Sequence, residues 1–402
     1  MQKRFIQVLL VTLTFITSMA FSDLAPTPDE TAIIAPTPSQ NMSMPQLTPP
    51  APNVSAKAYV LMDSDSGRVL ASKDMDKRLP PASLTKLMTL YVAAEYLNAG
   101  RIHLDDQVHI SKKAWQMGGS KMFVKAGDNV PLKLLIQGII VDSGNDACVA
   151  VAQYIAGNED AFAQIMDQTA DHLGMNNTHY VDSTGLPHPN HYATPYDLAI
   201  LARAFIQNFP QYYGWFKQKW LTYNKIKQPN RNRLLWRDPS VDGLKTGHTQ
   251  SAGFCLIASA KRGQMRLISV VMGTNSDQAR HSDSQTLLNY GFRYFETHQI
   301  FAANQVVTQV RTWMGVDKKT PLGVNYPLFI TIPTQSYDHI KLQVSTHSVH
   351  APIQKGASVG SLNVLLNGKK IQSIPLLALK NNEEGGFLRK AIDRASLLFH
   401  SS

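Results

Sequence analysis

The spacing of apolar and polar residues changes several times along the chain, and each change predicts a different element. Two apolar runs at 58–62 and 68–72, separated by a polar turn, predict a β-hairpin. Strand-like runs return at 252–260 and 265–274 and precede a helix at 282–297. Between them, apolar residues recur at intervals of three and four, which predicts helices at 83–97, 132–141, 147–155, 161–173 and 195–207. This order predicts an α/β domain with an inserted helical region.

The pattern differs in the C-terminal quarter, where short runs of alternating polarity follow one another. These runs, with a turn signal at Asn367-Gly368, predict a separate small all-β sandwich and lie at 306–310, 328–332, 340–344, 362–366 and 374–378. Past Gly385-Gly386 a helix is predicted whose apolar stripe consists of Phe387, Leu388, Ala391, Ile392, Ala395, Leu398 and Phe399. At about 20 Å this helix is too short to span a bilayer and suits its interface, with docking on the sandwich as the alternative.

The first residues predict export. Lys3 and Arg4 precede a mostly apolar stretch at 5–16, and small residues follow, as in a cleaved signal peptide. Eight of the 22 prolines then lie between Asp23 and Val54, which predicts an extended spacer. We therefore expect a signal peptide, a Pro-rich linker, an α/β domain, a β-sandwich and an amphipathic membrane-anchor helix, at 1–22, 23–54, 55–298, 299–380 and 381–402 respectively.

Composition narrows the class of protein. The chain has 402 residues, of which 44% are hydrophobic and 17% charged, and this excludes both a small scaffold and wholesale disorder. The net charge is +10, but no run of Lys and Arg exceeds two residues. We expect no nucleic-acid partner, because a diffuse positive field fits an anionic envelope surface better.

The potential metal ligands are few. Cys148 and Cys255 are interpreted as small buried hydrophobes, although export leaves a disulfide open. The acidic turn at 63–67 lacks the spacing of an EF-hand, and His188 and His191 flank a turn in which a satisfied or exposed histidine is the better interpretation. We predict neither a metal site nor a cofactor.

Three short motifs indicate chemistry. Ser83-Leu-Thr-Lys86 places a hydroxyl and an amine three residues apart at a predicted helix start, so both fall on one face. Ser143-Gly-Asn145 follows 60 residues later in a loop before a helix, and Lys245-Thr-Gly247 follows 102 residues after that, leading toward a strand. Each motif is weak alone, but all three occur in the order found in serine penicillin-recognising enzymes.

With these motifs the chain resembles the periplasmic D-alanyl-D-alanine carboxypeptidases of the penicillin-binding protein 5/6 type, from about residue 58 to residue 399. Longer matching strings lie at 230–236, 242–249, 263–269, 291–295 and 350–355. The resemblance implies a β-lactamase/DD-peptidase-like domain with an antiparallel sheet, at 55–298, and a location on the outer face of the inner membrane. It also implies the peptidoglycan stem peptide and β-lactam antibiotics as ligands and a role in cell-wall remodelling.

The resemblance assigns roles that the chemistry of the reaction supports. Ser83 would attack the peptide carbonyl, and Lys86 would take its proton, provided that burial beside a second cation such as Lys245 keeps Lys86 neutral. By resemblance, Ser143 would relay the proton to the leaving nitrogen, and the backbone N–H groups of Ser83 and His248 would bind the oxyanion. The remaining residues implied in substrate binding are Asn145, Lys245, Thr246, Gly247, His248, Thr249 and one of Arg231 and Arg280.

Three alternatives stay open on sequence. A class A β-lactamase shares the first and third motifs but has Asp where Gly144 stands, and it needs a catalytic Glu. The only Glu between the second and third motifs is Glu159, which we interpret as a solvated surface carboxylate. A non-catalytic wall-binding protein has no need of two lysines with two serines. An endopeptidase acting on D-Ala cross-links would use nearly the same bond chemistry.

Overall fold

The computed structural model describes residues 32–34 and 48–400, with side chains described for residues 48–397. The predicted signal peptide and most of the predicted linker lie outside the described residues. The described chain divides into two compact units. One contains residues up to Gln305 from the end of the linker, together with Tyr326–Ile340. The other contains Ala32–Ile34, Val306–Asn325 and the residues after Ile340.

The strands alternate with helices in the first unit and follow one another in the second. In chain order, the strands of the described residues are β1 (Ala32–Ile34), β2 (Ala58–Asp63), β3 (Val69–Lys73), β4 (Gln107–His109), β5 (Asn129–Pro131), β6 (Trp220–Tyr223), β7 (Ile226–Pro229), β8 (Val241–Thr249), β9 (Gly253–Arg262), β10 (Met265–Thr274), β11 (Phe295–Phe301), β12 (Val306–Trp313), β13 (Lys319–Gly323), β14 (Leu328–Pro333), β15 (Ile340–Thr346), β16 (Val349–His350), β17 (Ser358–Leu366) and β18 (Lys369–Ala378).

The helices lie mainly between β3 and β8. They are α1 (Lys86–Asn98), α2 (Lys112–Gln116), α3 (Leu132–Val141), α4 (Asn145–Ala156), α5 (Glu159–Leu173), α6 (Pro195–Asn208), α7 (Pro210–Tyr213), α8 (Leu234–Arg237), α9 (Asp277–Tyr294) and α10 (Phe387–His400), with a 3₁₀ turn at Ala82–Thr85 directly before α1. Among the described residues, we find no helix with the length and apolar character needed to cross a membrane.

A five-stranded antiparallel sheet in the order β3-β2-β10-β9-β8 forms the centre of the first unit. Its middle strands are apolar on both faces because each face is covered. Ile268 and Val270 belong to the cluster formed with the helical region, whereas Leu267 and Val271 pack in the cluster that contains α9 residues Leu287 and Leu288. Because successive side chains of β10 point to opposite faces of the sheet, this strand contributes to two separate cores.

The helical region surrounds α1. The first nine residues of α1, from Lys86 to Ala94, are all buried, and only Lys86 and Thr89 among them are polar. A lysine at the first position of a helix whose first nine residues are enclosed is carried into the core with it. This is the feature of the fold that determines the environment of Lys86.

The second unit is all-β apart from its terminal helix. A mixed sheet runs in the order β1-β15-β17-β18-β13-β12-β16. β17 and β18 form a hairpin at Asn367-Gly368, where both residues have positive φ, 52° and 77°, as a type I′ turn requires. β11 and β14 pair with each other within the first unit.

The terminal helix α10 attaches to the second unit through a polar contact. The Asp393 carboxylate is 2% exposed and accepts a hydrogen bond from the Met314 backbone N–H at 2.7 Å. The apolar side chains Phe387, Leu388 and Ile392 are instead 86%, 78% and 59% exposed. The helix therefore docks by one face and presents an apolar face to its surroundings.

Most predicted elements are confirmed, and the predicted fold class is correct. The helix predicted at 132–141 has the same bounds in the structure, and the hairpin at 58–72 and the five strands predicted in the C-terminal quarter are present, although the strand at 328–332 is β14 and belongs to the first unit. The helix predicted from 282 instead begins at Asp277, because the Ser276 side chain accepts a hydrogen bond from the Ala279 N–H and caps it there.

The structure refines two expectations about local structure. Ala32–Ile34, in the predicted extended spacer, forms β1 and pairs with β15. This segment lacks proline, so its backbone N–H groups remain available to a sheet. The motif Lys245-Thr-Gly247 does not lead toward a strand but lies within β8 itself.

Candidate active site

Ser83 and Lys86 face each other at the start of α1. The Lys86 Nζ atom lies 2.7 Å from the Ser83 Oγ atom, and Lys86 is fully buried. Burial lowers the pKa of Lys86 below its usual value. Ala82, directly before the serine, has a positive φ of 48°, an uncommon conformation for a non-glycine residue that is found preferentially at functional sites. The pair is positioned for proton transfer from hydroxyl to amine.

Ser143 is held by a second buried lysine. The Lys245 Nζ atom donates to the Ser143 Oγ atom at 3.0 Å and to the Thr246 carbonyl at 3.0 Å. Burial, with a further contribution from the charge of Lys86, holds the pKa of Lys245 well below its usual value. Ser143 has a φ of 59°. Because its oxygen accepts from Lys245, its own proton is free to be donated elsewhere.

Two glycines allow these segments to meet. A Cβ atom at Gly247 would lie 2.9 Å from the Pro81 carbonyl oxygen, so β8 passes directly beside the turn that carries Ser83. A Cβ atom at Gly144 would lie 2.7 Å from an Asp146 carboxylate oxygen and 3.0 Å from the Met122 backbone nitrogen. The middle motif therefore has no room for the Asp found in β-lactamases, because Asp146 occupies that space.

The remaining predicted residues of β8 line the same edge. Thr246 is buried, while His248 is exposed and stacks on Phe254 of the neighbouring strand with ring centroids 3.9 Å apart. The Thr249 Oγ1 atom accepts the Ala252 N–H at 3.1 Å and lies 3.2 Å from the Ser251 Oγ atom. The backbone of this strand, rather than the His248 ring, is what the fold brings next to Ser83.

Asn145 begins α4 at the edge of the site. Its side-chain nitrogen donates to the Gly118 carbonyl at 2.7 Å, so the structure directs this amide to the 118–120 loop and not to Lys86. The neighbouring Asp146 carboxylate accepts the backbone N–H groups of Met122, Phe123 and Val124. Together the two side chains fix the loop that covers one side of Ser143.

The two predicted arginines occupy different environments. Arg231 is exposed, and its Nε atom donates to the Asp142 carbonyl at 3.1 Å, one residue before Ser143. Arg280 is 6% exposed, and it donates to the Gly247 carbonyl at 3.0 Å and to the Asp277 carboxylate. Arg280 thus supports the backbone of β8, whereas Arg231 remains available to a ligand.

Sequence reasoning missed Asp142 and the loop that faces Lys86. Asp142 is 1% exposed, and burial raises its pKa to about 7. The Thr184 carbonyl accepts a hydrogen bond from the Lys86 Nζ atom at 3.0 Å. A backbone carbonyl leaves no signature in a sequence, although the turn residues Asp182 and Gly185 around it indicate a built loop.

The interpretation of Glu159 as a solvated carboxylate was wrong. Glu159 is 7% exposed because Lys113 pairs with it at 2.8 Å and the Ser183 hydroxyl donates to it at 3.1 Å. His191 is buried, and His188 is exposed. Both cysteines are buried free thiols. Within the described residues, no group of three or more His, Cys, Asp or Glu side chains is arranged to hold a metal ion.

Two family profiles match the chain in succession. The profile of D-alanyl-D-alanine carboxypeptidase matches residues 45–276, which include Ser83, Lys86, Ser143 and Lys245. The profile of the C-terminal domain of penicillin-binding protein 5 matches residues 295–384.

Individual proteins are similar over most of the chain. The D-alanyl-D-alanine carboxypeptidase DacC of Escherichia coli K12 is 43% identical over 359 residues, which cover 87% of this chain and 90% of that protein. Penicillin binding protein 5 from Haemophilus influenzae is similar in structure, with a TM-score of 0.81, 40% identity and coverage of 84% of this chain and 100% of that chain. Penicillin-Binding Protein D2 from Listeria monocytogenes, solved in an ampicillin-bound form, has a TM-score of 0.56 at 28% identity and covers 61% of this chain and 100% of that chain.

Proposed function

The chain belongs to the D-alanyl-D-alanine carboxypeptidase family, and from this premise we propose that it removes the terminal D-alanine of peptidoglycan pentapeptides through an acyl-enzyme on Ser83. It is a serine-type carboxypeptidase and a penicillin-binding protein. The observation that carries the catalytic assignment is the 2.7 Å separation of the Lys86 Nζ and Ser83 Oγ atoms, with the amine fully buried.

Acylation begins with the hydroxyl of Ser83. A serine is a weak nucleophile at neutral pH, so Lys86, kept neutral by burial, accepts its proton as the oxygen attacks the carbonyl carbon of the penultimate D-alanine. The backbone N–H groups of Ser83 and His248 bind the resulting oxyanion, and losing one such donor typically costs about 3–4 kcal/mol of transition-state stabilisation.

Ser143 completes the transfer. The C–N bond breaks, and the departing D-alanine nitrogen takes the proton of the Ser143 hydroxyl. Ser143 then recovers, by way of the buried lysines, the proton that Lys86 took from Ser83. Lys245 holds the Ser143 oxygen at 3.0 Å as an acceptor, so the hydroxyl proton points away from Lys245 toward the leaving group. Water then hydrolyses the Ser83 ester and regenerates the enzyme.

The terminal carboxylate of the substrate needs a cation and hydroxyl donors. Thr246, Thr249 and Lys245 lie on β8, and we assign the guanidinium to Arg231 because Arg280 is buried and already holds the Gly247 carbonyl and Asp277. A hydrogen bond between a guanidinium and a carboxylate is charge-assisted and is stronger than one between neutral groups. Asn145 and the backbone of Gly247 and His248 would hold the substrate amide.

The environment of Glu159 argues against the β-lactamase alternative. Its carboxylate is engaged by Lys113 and Ser183 and is not free to activate water. Penicillin should therefore acylate Ser83 and leave slowly. Rapid hydrolysis without an accumulating adduct would instead favour the lactamase.

The experiment that tests the proposal measures release of D-alanine from a soluble pentapeptide. The wild type should release one D-alanine per peptide, and Ser83→Ala should release none while keeping its unfolding temperature. Cleavage of a D-Ala cross-link with no activity on the pentapeptide would identify an endopeptidase. No cleavage of either substrate would favour the wall-binding alternative.

Location and domain organisation extend the same proposal. We propose export by the signal peptide 1–22, a linker at 23–54, a peptidase domain at 55–298, a β-sandwich at 299–380 and peripheral attachment of 381–402 to the outer face of the inner membrane. The exposed Phe387, Leu388 and Ile392 support the last step, since large apolar patches mark interaction surfaces.

A further inference from the structure

The loop between Val181 and His191 packs against the turn that carries the nucleophile. A Cβ atom at Gly185 would lie 1.9 Å from the Ala82 carbonyl oxygen, so no side chain fits between the loop and the turn. The only group this loop directs at a proposed catalytic side chain, among its described contacts, is the Thr184 carbonyl, which accepts from the Lys86 Nζ atom at 3.0 Å.

The near end of this loop is shaped by Asp182. One oxygen of its carboxylate accepts the Thr184 N–H at 2.6 Å, the Thr184 hydroxyl at 2.8 Å and the Gly185 N–H at 2.7 Å. The Thr89 hydroxyl of α1 donates to the Ser183 carbonyl at 2.7 Å. These bonds fix the orientation of the peptide group that presents the Thr184 carbonyl.

The far end of the loop is closed by His191, which is 3% exposed. Its Nδ1 atom accepts the Val181 N–H at 3.3 Å, so in the neutral ring the hydrogen is on Nε2. Nε2 lies 2.9 Å from the Thr85 Oγ1 atom and donates to it. Burial lowers the pKa of His191 to about 4, which keeps the ring neutral near pH 7.

We propose that His191 is a positioning residue for acylation: by joining Thr85 to the Val181 backbone, it holds the Thr184 carbonyl where it orients the Lys86 amine toward Ser83. This inference rests on the proposed function. His191 does not touch the reacting atoms, and it acts through the loop.

The physical reason lies in the geometry of a neutral amine, which has two N–H bonds and one lone pair. When one N–H is committed to the Thr184 carbonyl, rotation of the amine is restricted and the lone pair is directed toward the Ser83 hydroxyl. Without that acceptor the amine rotates freely, and its lone pair points toward the Ser83 hydroxyl for a smaller fraction of the time. Misplacement of a reacting group by about 1 Å can cost about 100-fold in rate.

The test measures, by intact-protein mass spectrometry, how fast a penicillin forms its covalent bond with Ser83. For His191→Ala we expect the first-order acylation rate at saturating penicillin to fall about 10–100-fold, with the non-covalent dissociation constant unchanged and the final adduct still near one per protein. His191→Gln, whose amide can still donate to Thr85, should recover most of the rate. The exposed neighbour His188 provides the control, and His188→Ala should acylate at the wild-type rate.

A second pair of variants covers the case in which His191→Ala fails to fold. Thr85→Val removes the acceptor of the His191 N–H at nearly constant volume, whereas Thr85→Ser keeps it. The valine variant should be slow and the serine variant close to the wild type.

Two outcomes would overturn the inference. One is an acylation rate within twofold of the wild type in both His191→Ala and Thr85→Val. The other is a reduced final adduct formed at the wild-type rate, which would mean that the substitutions only unfold a fraction of the protein. A wild type that forms no adduct would instead contradict the proposed function.

Discussion

Lys86 and Lys245 are both buried, although lysine is among the residues least often found inside a protein. Each amine has a hydroxyl and a carbonyl as partners, and no carboxylate in the described part of the chain lies within ion-pair distance of either. Burial without a counter-ion favours the neutral amine. A neutral amine beside a serine is what a general base requires.

The buried Asp142 carboxyl predicts a pH dependence of stability. Its carboxyl has a pKa of about 7 in the folded chain and an ordinary value when unfolded. Between about pH 4 and pH 7 the folded state therefore holds a proton that the unfolded state has lost, and stability from this group falls as pH rises. Asp142→Asn removes this dependence. The stability of the variant relative to the wild type should increase by about 1–2 kcal/mol from pH 4 to pH 7.5, after allowance for solvent screening.

Urea unfolding at the two pH values measures this difference. Asp160→Asn, at an exposed position of α5, serves as the control and should show no comparable change. Equal stability differences for Asp142→Asn at both pH values would show that the carboxyl is ionised in the folded state throughout this range.

The sequence was sufficient to find the four side chains that we propose to react, and insufficient to find the groups that hold them in place. Ser83, Lys86, Ser143 and Lys245 carry their chemistry in their side chains and occur at recognisable spacings. The Thr184 group that contacts Lys86 is a backbone carbonyl, which every residue type has, so no sequence pattern indicates it. The burial of Glu159 depends on Lys113, 46 positions earlier, and on Ser183, 24 positions later, and no local pattern reports such contacts.

At the scale of elements, the site forms where a turn, a strand and a loop approach more closely than side chains allow. Gly185 has a φ of 81° and lies against the Ala82 carbonyl. Gly185→Ala should therefore lower stability by more than the roughly 1–2 kcal/mol that positive φ alone costs, and it should slow acylation.

Gly174 is the matched control for this variant. It ends α5 with a φ of 77°, but a Cβ atom there would meet no other atom within 4 Å. Gly174→Ala should cost about 1–2 kcal/mol and leave acylation unchanged. Similar thermal unfolding temperatures and acylation rates for the two variants would contradict the close packing of the loop on the turn.

Elements were predicted best where a periodic pattern ended at a clear signal. The bounds of α3 were correct because an apolar run begins at Leu132 after Pro131 and ends before a polar loop. The start of α9 was missed because its first turn is polar and depends on the Ser276 cap. The β6–β7 hairpin was missed because its apolar residues are exposed at Trp220 and Ile226, so its pattern is weak.

At the scale of the whole molecule, the catalytic unit is joined to a β-unit whose last helix exposes an apolar face. Four charged side chains, Arg389, Lys390, Asp393 and Arg394, lie elsewhere on this helix, and the chain has a net charge of +10. We propose that this helix binds an anionic membrane surface through apolar burial together with charge attraction.

The double variant Leu388→Glu with Ile392→Glu tests this attachment. It should abolish sedimentation with vesicles containing anionic lipid, because it replaces two exposed apolar side chains with charges, and truncation after Lys380 should do the same. Acylation by penicillin in solution should be unchanged in the double variant. Continued sedimentation of both variants would show that another part of the chain carries the attachment.

The proposed acylation depends on transfer of the Ser83 proton to an uncharged Lys86. The most direct measurement is the rate of penicillin adduct formation in Lys86→Met, which keeps an unbranched apolar side chain one atom shorter than lysine but has no base. We predict that this variant keeps the wild-type fold and non-covalent penicillin affinity and forms adduct about 100–10,000-fold more slowly, in line with removal of a general base. Adduct formation at the wild-type rate in a folded Lys86→Met protein would contradict the mechanism.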